Sequence, residues 1–224
     1  MAKKKKKAAK KVTKKAVKDG IHLVISPPNM QVGEFEIGNA GLSSPYVQNK
    51  FSTRDKMVVV AKQKLGESAK KPKRKPKDFG AIYEGSMHKS VEGWRGIPAT
   101  ALRNALIDSC RISGYAMTKA KLSVFILADG NDPDDNTPLI KITGKPHRVD
   151  STVRLATGVM DIKPRAHWAS WKAKVRIMFD ADQFRVEDIA NLLARAGLQV
   201  GIGAGRHNSK DSFGMGWGCF KILK

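Results

Sequence analysis

Seven glycines share the stretch Gly197 to Gly218, GLQVGIGAGRHNSKDSFGMGWG, with Arg206, His207, Lys210, Phe213 and Trp217. Glycines clustered this way mark backbone that needs positive φ or close approach of a ligand. Successive backbone N–H groups beside cations suit a phosphate. The structural alternative is a glycine-loosened hairpin closing a sheet. His207, next to Arg206 and near Ser209, has the chemistry of a general base in RNA cleavage, with Arg206 on the phosphate. One histidine does not define an active site, so an exposed loop histidine is the expectation.

Other chemistries find little support. Gly201, Gly203 and Gly205 lack the following helix and βαβ unit of a dinucleotide turn, and Gly144-Lys145 runs into Pro146 without phosphate-loop spacing. Histidines 22, 88, 147, 167 and 207 show no paired metal spacing. The acidic run Asp129 to Asn136, DGNDPDDN, lacks the ligand register and closing glutamate of an EF-hand and predicts a solvated turn. Cys110 and Cys219 suit small buried side chains in a reducing compartment. No metal, cofactor or catalytic residue is expected.

Charge points to a polyanion. The chain has 224 residues and a formal net charge of +22. Ten lysines face Asp19 within residues 1–20, and eight cations face Glu67 within 62–77, so the remainder is only mildly basic. Residues 1–20 predict a disordered lysine-rich arm, and 62–78 a flexible basic loop. Residues 21–224 predict a single domain. No apolar run is long enough to span a bilayer, and no secretory h-region follows the lysines, so an intracellular, cytoplasmic protein is expected.

The elements that must position these groups follow from periodicity. Ile21–Ser26 reads as a first strand, and Asn29–Lys56 as an irregular excursion around Glu34–Ile37, followed by a brief apolar run at Met57–Ala61. Gly93–Gly114 predicts a helix entered at Pro98, with Leu102, Ala105, Leu106, Ser109 and Cys110 on its inner face. Leu122–Leu127 and Leu139–Thr143 read as strands, and Ser151–Ile162 holds strand-like pieces of a basic hairpin. Lys172–Phe179 alternates, which places Lys174 and Arg176 on one wet face. Val186–Ala196 predicts a helix stopped by Gly197, with Leu198–Ile202 and Trp217–Leu223 as closing strands. The order is that of an α+β, ferredoxin-like or RRM-like split βαβ core with long basic insertions. Such a core leaves one sheet face open to an extended strand, with Trp168, Trp171, Phe213 and Trp217 as possible stacking surfaces.

Gly96-Ile97-Pro98-Ala99 leading into Leu102-Arg103-Asn104-Ala105-Leu106, with Gly201-Ile202-Gly203-Ala204-Gly205 and Phe213-Gly214-Met215-Gly216 late in the chain, resembles the RAMP superfamily. Within it, the chain is similar to phage-encoded members and to backbone subunits of class 1 CRISPR effectors. The resemblance implies an RRM-like palm whose copies line up along single-stranded RNA without reading sequence. It implies a thumb-like hairpin over residues 137–171, with Arg148, Arg154 and Arg165 as candidates. It also implies phosphate contacts from Arg95, Arg103 and the Arg206 loop. Together with Lys145, Lys174, Arg176, Gly203, Gly205 and His207, these are the candidate nucleic-acid-binding residues.

The expected function is non-catalytic binding of single-stranded nucleic acid, RNA or ssDNA, by a homo-oligomer or filament, in phage replication, recombination or counter-defence. The alternatives are an RNA endonuclease using His207 or His22, and a structural protein that packages nucleic acid.

Overall fold

The computed structural model describes residues 26–50, 53–65, 76–154, 160–209 and 214–224. In chain order they form β1 (Met30–Gly38), β2 (Tyr46–Gln48), α1 (Arg54–Lys64), α2 (Phe79–Glu84), β3 (Gly96–Pro98), α3 (Ala99–Ile112), α4 (Met117–Ser123) and β4 (Val124–Leu127). Then follow β5 (Gly130–Asn131), β6 (Pro138–Thr143), β7 (His147–Arg154), β8 (Met160–Trp168), β9 (Lys172–Asp180), α5 (Val186–Arg195), a π turn over Ala196–Val200, and β10 (Lys221–Ile222). The protein is α+β, and its strand pairs are antiparallel.

Strand β9 organises the larger sheet. Its alternation buries Ala173, Val175, Ile177 and Phe179 and exposes Lys172, Lys174 and Arg176, as a period of two requires. It pairs with β1 along its whole length, from Met30↔Asp180 to Gly38↔Lys172. On the far side of β1 lies β10, and on the far side of β9 lies β4. Beyond β4's reach, β9 also pairs with the end of β6, which in turn carries β3 and β5. A second sheet has the order β2-β8-β7.

Helices α3 and α5 supply the apolar layer. The inner face of α3 is buried at Leu102, Ala105, Leu106, Ser109 and Cys110, and that of α5 at Ile189, Leu192 and Leu193. Ser109 Oγ donates to the carbonyls of Leu106 and Leu192, so a buried hydroxyl ties the two helices together. Trp168 and Trp171 are fully buried and contribute to the core. They are therefore not the stacking surfaces the sequence suggested. Among the described residues, no helix is long and apolar enough to cross a membrane.

Several boundaries differ from expectation. Asn29–Lys56 contains two strands, β1 and β2. Its glycines disguise β1, yet one is required: a Cβ on Gly38 would lie 2.6 Å from the Trp171 carbonyl oxygen. Of the expected first strand, Ser26 is irregular and the rest lies outside the described residues. Met57–Ala61 belongs to helix α1. Gly197 does not stop α5. The chain continues through the π turn to Gly201 at φ +74°, so Leu198–Ile202 is not a strand, and the closing strand is only Lys221–Ile222. The lysine arm 1–20 and residues 66–75 of the basic loop lie outside the described residues.

Candidate anion-binding cleft

Helix α3 starts from Pro98, whose φ of −56° suits helix entry but whose side chain cannot cap. Among the described residues, the N-cap position supplies no side-chain hydrogen bond to its first turn. The leading N–H groups of a helix have no intrahelical acceptor and carry the positive end of its dipole. Pro98, Thr100, Ala101 and Asn104 form one wall of a cleft of about 560 Å³.

The opposite wall is Val200–Arg206 from the glycine stretch. Gly201, Gly203 and Gly205 have φ of +74°, +78° and +80°, the left-handed region that glycine enters without penalty. Backbone hydrogen bonds lace this wall to the β2 region: Ala204 N–H donates to the Val47 carbonyl at 2.9 Å and Gly218 N–H to that of Pro45 at 2.8 Å. The approach is close enough that a Cβ on Gly203 would lie 2.5 Å from the Val47 oxygen. Arg206 Nη1 donates to the Gly203 carbonyl at 3.0 Å.

The remaining wall consists of Tyr46–Asn49, Arg165 and His88. Arg165 Nε is buried with no hydrogen-bond partner among the described residues. Burial holds its guanidinium below the usual arginine pKa. An unpaired buried donor on a cation is costly, and because Nε is shielded from solvent, an anion in the cleft would be answered by the guanidinium's charge rather than by that N–H. Asp108 is the acid on the lining, and it accepts a hydrogen bond from Asn208 Nδ2 at 2.7 Å.

Behind His88 lies a buried ion cluster. His88 Nδ1 is 2.8 Å from Asp132 Oδ2, and Lys50 Nζ bonds both Asp132 oxygens at 2.8 and 2.7 Å and Asp134 at 2.8 Å. Lys50 and Asp132 are both buried. The acidic run is therefore not a solvated turn: Asp132 anchors it inward against Lys50. Burial acts to raise the Asp132 pKa, but hydrogen bonds from Lys50, the Asp134 N–H and His88 together leave it below the usual carboxylate value. His88, Asp132 and Asp135 also have ligand atoms close enough to surround a metal. The Lys50 ammonium already takes the cation's place on Asp132, so the grouping reads as an internal ion pair with an oriented imidazole beside the cleft.

Of the sequence candidates, Arg165, Gly203, Gly205 and Arg206 meet in the cleft or its wall. His207 is exposed and borders a neighbouring recess with Asp108, Arg111 and Gln199. Arg95 Nε donates to Met87 Sδ at 3.1 Å, outside the cleft. Arg103 bonds the Val124 and Lys121 carbonyls and lies over the Phe125 ring, which fixes the end of α4. Arg148 makes a bidentate pair with Asp150 at 2.7 Å and lies over Phe79. Lys145 is exposed between β6 and β7, and Arg154 ends β7 with its side chain outside the described residues.

On the open sheet face, Lys174 stands opposite Glu36 and Arg176 opposite Glu34. Arg176 also pairs with Asp129 at 3.1 Å. Lys172 and Lys221 both stand opposite Gly38, so the face mixes charges and its cations outnumber Glu34, Glu36 and Asp129.

His88, the Tyr46–Asn49 wall and the Lys50–Asp132 cluster were invisible to spacing arguments, because side-chain contacts between loops bring together positions far apart in sequence. Trp217 packs over Gly205 and lies edge-on to His167, with ring centroids 5.0 Å apart. Burial, then the charges of His147 and Arg165, push the His167 pKa down to about 4. A base whose folded pKa lies below its unfolded value binds more protons when unfolded, so stability falls as pH drops from about 6.5 towards 4. His167→Gln is expected to shrink the loss of urea stability between pH 7 and pH 5. An unchanged loss would remove His167 as its source.

No protein-family model matches the chain, and the search of curated proteins finds no match.

Proposed function

We propose that the protein is a non-catalytic single-stranded nucleic-acid-binding protein, for RNA or ssDNA, that assembles along the phosphate backbone with little sequence preference. The observation that carries this reading is the cleft. An uncapped helix start, Arg165, Arg206 and the Gly203 and Gly205 backbone line one space, which suits a phosphate. The strong positive charge supplies long-range attraction.

We read the core as ferredoxin-like, or RRM-like. Support comes from the sheet order β10-β1-β9-β4, with α3 between β1 and β4 in the chain and α5 between β9 and β10. The β7–β8 hairpin, entered from β6, then occupies the insertion position of the thumb in the RAMP reading. Glu34 and Glu36 interleave the cations of the open sheet face, which favours the cleft as the proposed phosphate track.

The test is binding of fluorescent ssDNA, ssRNA and duplex across a salt series. Affinity should fall steeply with salt, with a slope of about −0.7 per phosphate neutralised, and single strands should be preferred. Arg165→Gln should weaken binding about tenfold, the value of a charge-assisted hydrogen bond. Salt-independent binding, or a preference for duplex, would refute the reading. Deleting Met1–Lys18 separates it from a packaging role: a substantial part of the affinity should survive. RNA left intact after long incubation would remove the endonuclease alternative, whereas cleavage lost in His207→Ala would establish it.

A further inference from the structure

Of the described side chains lining the cleft, His88 is the one whose type changes charge between about pH 5 and 8. Its side chain is 11% exposed. Backbone bonds fix where it stands: its N–H donates to Gln48 Oε1 at 3.1 Å, and its carbonyl accepts from Gly96 N–H at 3.1 Å. Earlier in the same segment, Ser86 Oγ accepts from Ala166 N–H at 3.2 Å, which ties the segment to β8 beside Arg165.

The tautomer of the ring follows from its partner. Nδ1 lies 2.8 Å from Asp132 Oδ2, and an ionised carboxylate only accepts, so Nδ1 carries the hydrogen. In the neutral ring Nε2 is then a bare lone pair, which repels a phosphate oxygen. The protonated ring donates from Nε2 and keeps its bond to Asp132.

The charges around the ring favour that second form once an anion fills the cleft. Behind the ring, the Lys50 ammonium faces Asp132 and Asp134, and an Asp135 oxygen lies within 4.8 Å of the ligand atoms of His88 and Asp132, so acid is in excess. Beside it in the chain, Lys89 is paired with Glu84, and Arg95 donates to Met87 Sδ. On the other walls of the cleft, Arg165 and Arg206 oppose a further positive charge and Asp108 favours one. Burial also favours the neutral ring. A phosphate seated among these groups offsets the two arginines and adds its own attraction for the imidazolium.

We propose that His88 is a phosphate ligand of the cleft and engages as its imidazolium, so that a backbone phosphate bound there brings a proton with it. The proposal rests on the phosphate reading above and gives that site a proton linkage. Because the bound form holds the extra proton, affinity is fullest in acid and is lost as pH rises.

Titration of fluorescent oligodeoxythymidylate and oligouridylate with the full chain at pH 6, 7 and 8 and fixed ionic strength tests it. Affinity for both should fall about tenfold over this range, the value of one charge-assisted hydrogen bond. Calorimetry of the wild type in two buffers of different ionisation enthalpy should register proton uptake on binding. His88→Asn keeps a donor for Asp132, and His88→Gln puts an uncharged donor towards the cleft. Both should bind at pH 6 as weakly as the wild type does at pH 8, with no pH dependence, and circular dichroism should report unchanged folding because Lys50 still holds Asp132. Wild-type affinity that is flat with pH, binding without proton uptake, or folded variants that keep the slope would each overturn the proposal and leave the nucleic-acid reading standing. The calorimetric arm needs no substitution. RNA affinity that rises with pH beside a flat DNA affinity would overturn it as well, since a neutral Nε2 would then be accepting from a 2′-hydroxyl. RNA cleavage that disappears in His88→Asn would also overturn it, by making the ring a base. Absence of oligonucleotide binding at every pH would overturn this proposal and the nucleic-acid reading together.

Discussion

Gly218→Ala is expected to cost several kcal/mol, enough to leave little folded protein. Gly218 sits at φ +71°, and an added Cβ would lie 1.7 Å from the Ile202 carbonyl oxygen and 2.8 Å from its carbon. Both neighbours are backbone, so no side chain can swing aside. Gly218 is also held at both of its own polar groups: its carbonyl accepts from Ile202 N–H at 2.9 Å, and its N–H donates to Pro45 at 2.8 Å. Relief of the clash would break the seam that joins the glycine wall to β2. Gly214→Ala is the control. Its φ is +62° and, among the described residues, nothing lies within 4 Å of the added carbon, so the expected cost is only the ~1–2 kcal/mol of a left-handed alanine. Urea denaturation of the two variants measures the difference. Equal costs would mean that Gly218 does not lie against Ile202.

Asp132→Ala should destabilise the fold by about 3–5 kcal/mol, because it leaves the Lys50 ammonium buried without its main partner. Asp134, one-third exposed, offers only partial compensation. Lys50→Met with Asp132→Leu should be far milder than either single charge removal, since a buried pair replaced by apolar groups is often close to neutral. The pH response has a defined sign. The folded-state pKa of Asp132 is depressed, so its stabilisation is present above the unfolded carboxylate value and lost as pH falls through the folded one. Lys50 acts in the opposite range. Burial lowers its pKa, but the hydrogen bonds and charges of Asp132 and Asp134 more than offset this, so its contribution is lost only as pH rises through the raised value. Thermal melts across pH should therefore show Asp132→Ala losing most near neutrality and converging on the wild type in acid. A constant gap would indicate that packing, not charge, sets the cost.

Elements with a clean period were legible from the chain. Helix α3 shows its inner face at Leu102, Ala105, Leu106, Ser109 and Cys110, and β9 alternates Lys172, Lys174 and Arg176 with Ala173, Val175 and Ile177. Strand β1 was hidden because Gly33 and Gly38 lower its apparent propensity, whereas the Gly38 site needs the missing side chain. The π turn after α5 was hidden for a related reason. Gly197 looks like a helix stop, yet it is glycine because a Cβ there would lie 2.2 Å from the Phe220 carbonyl oxygen. In the cleft, Gly203, Gly205 and Arg206 announced themselves as one stretch, while His88 and Asp132 did not. Their 2.8 Å contact joins residues 44 positions apart, a long-range pairing that no local spacing encodes.

The cross-strand partners of β9 have a consequence for orientation. With Glu36 facing Lys174 and Glu34 facing Arg176, two cations of the outer sheet stand beside carboxylates of the same chain. Lys172 and Lys221, both opposite Gly38, have no carboxylate across the strand, so the positive charge of this face gathers at that end of the sheet. Register alone thus gives the outer sheet an electrical polarity along its strands, from a mixed-charge middle to a basic end.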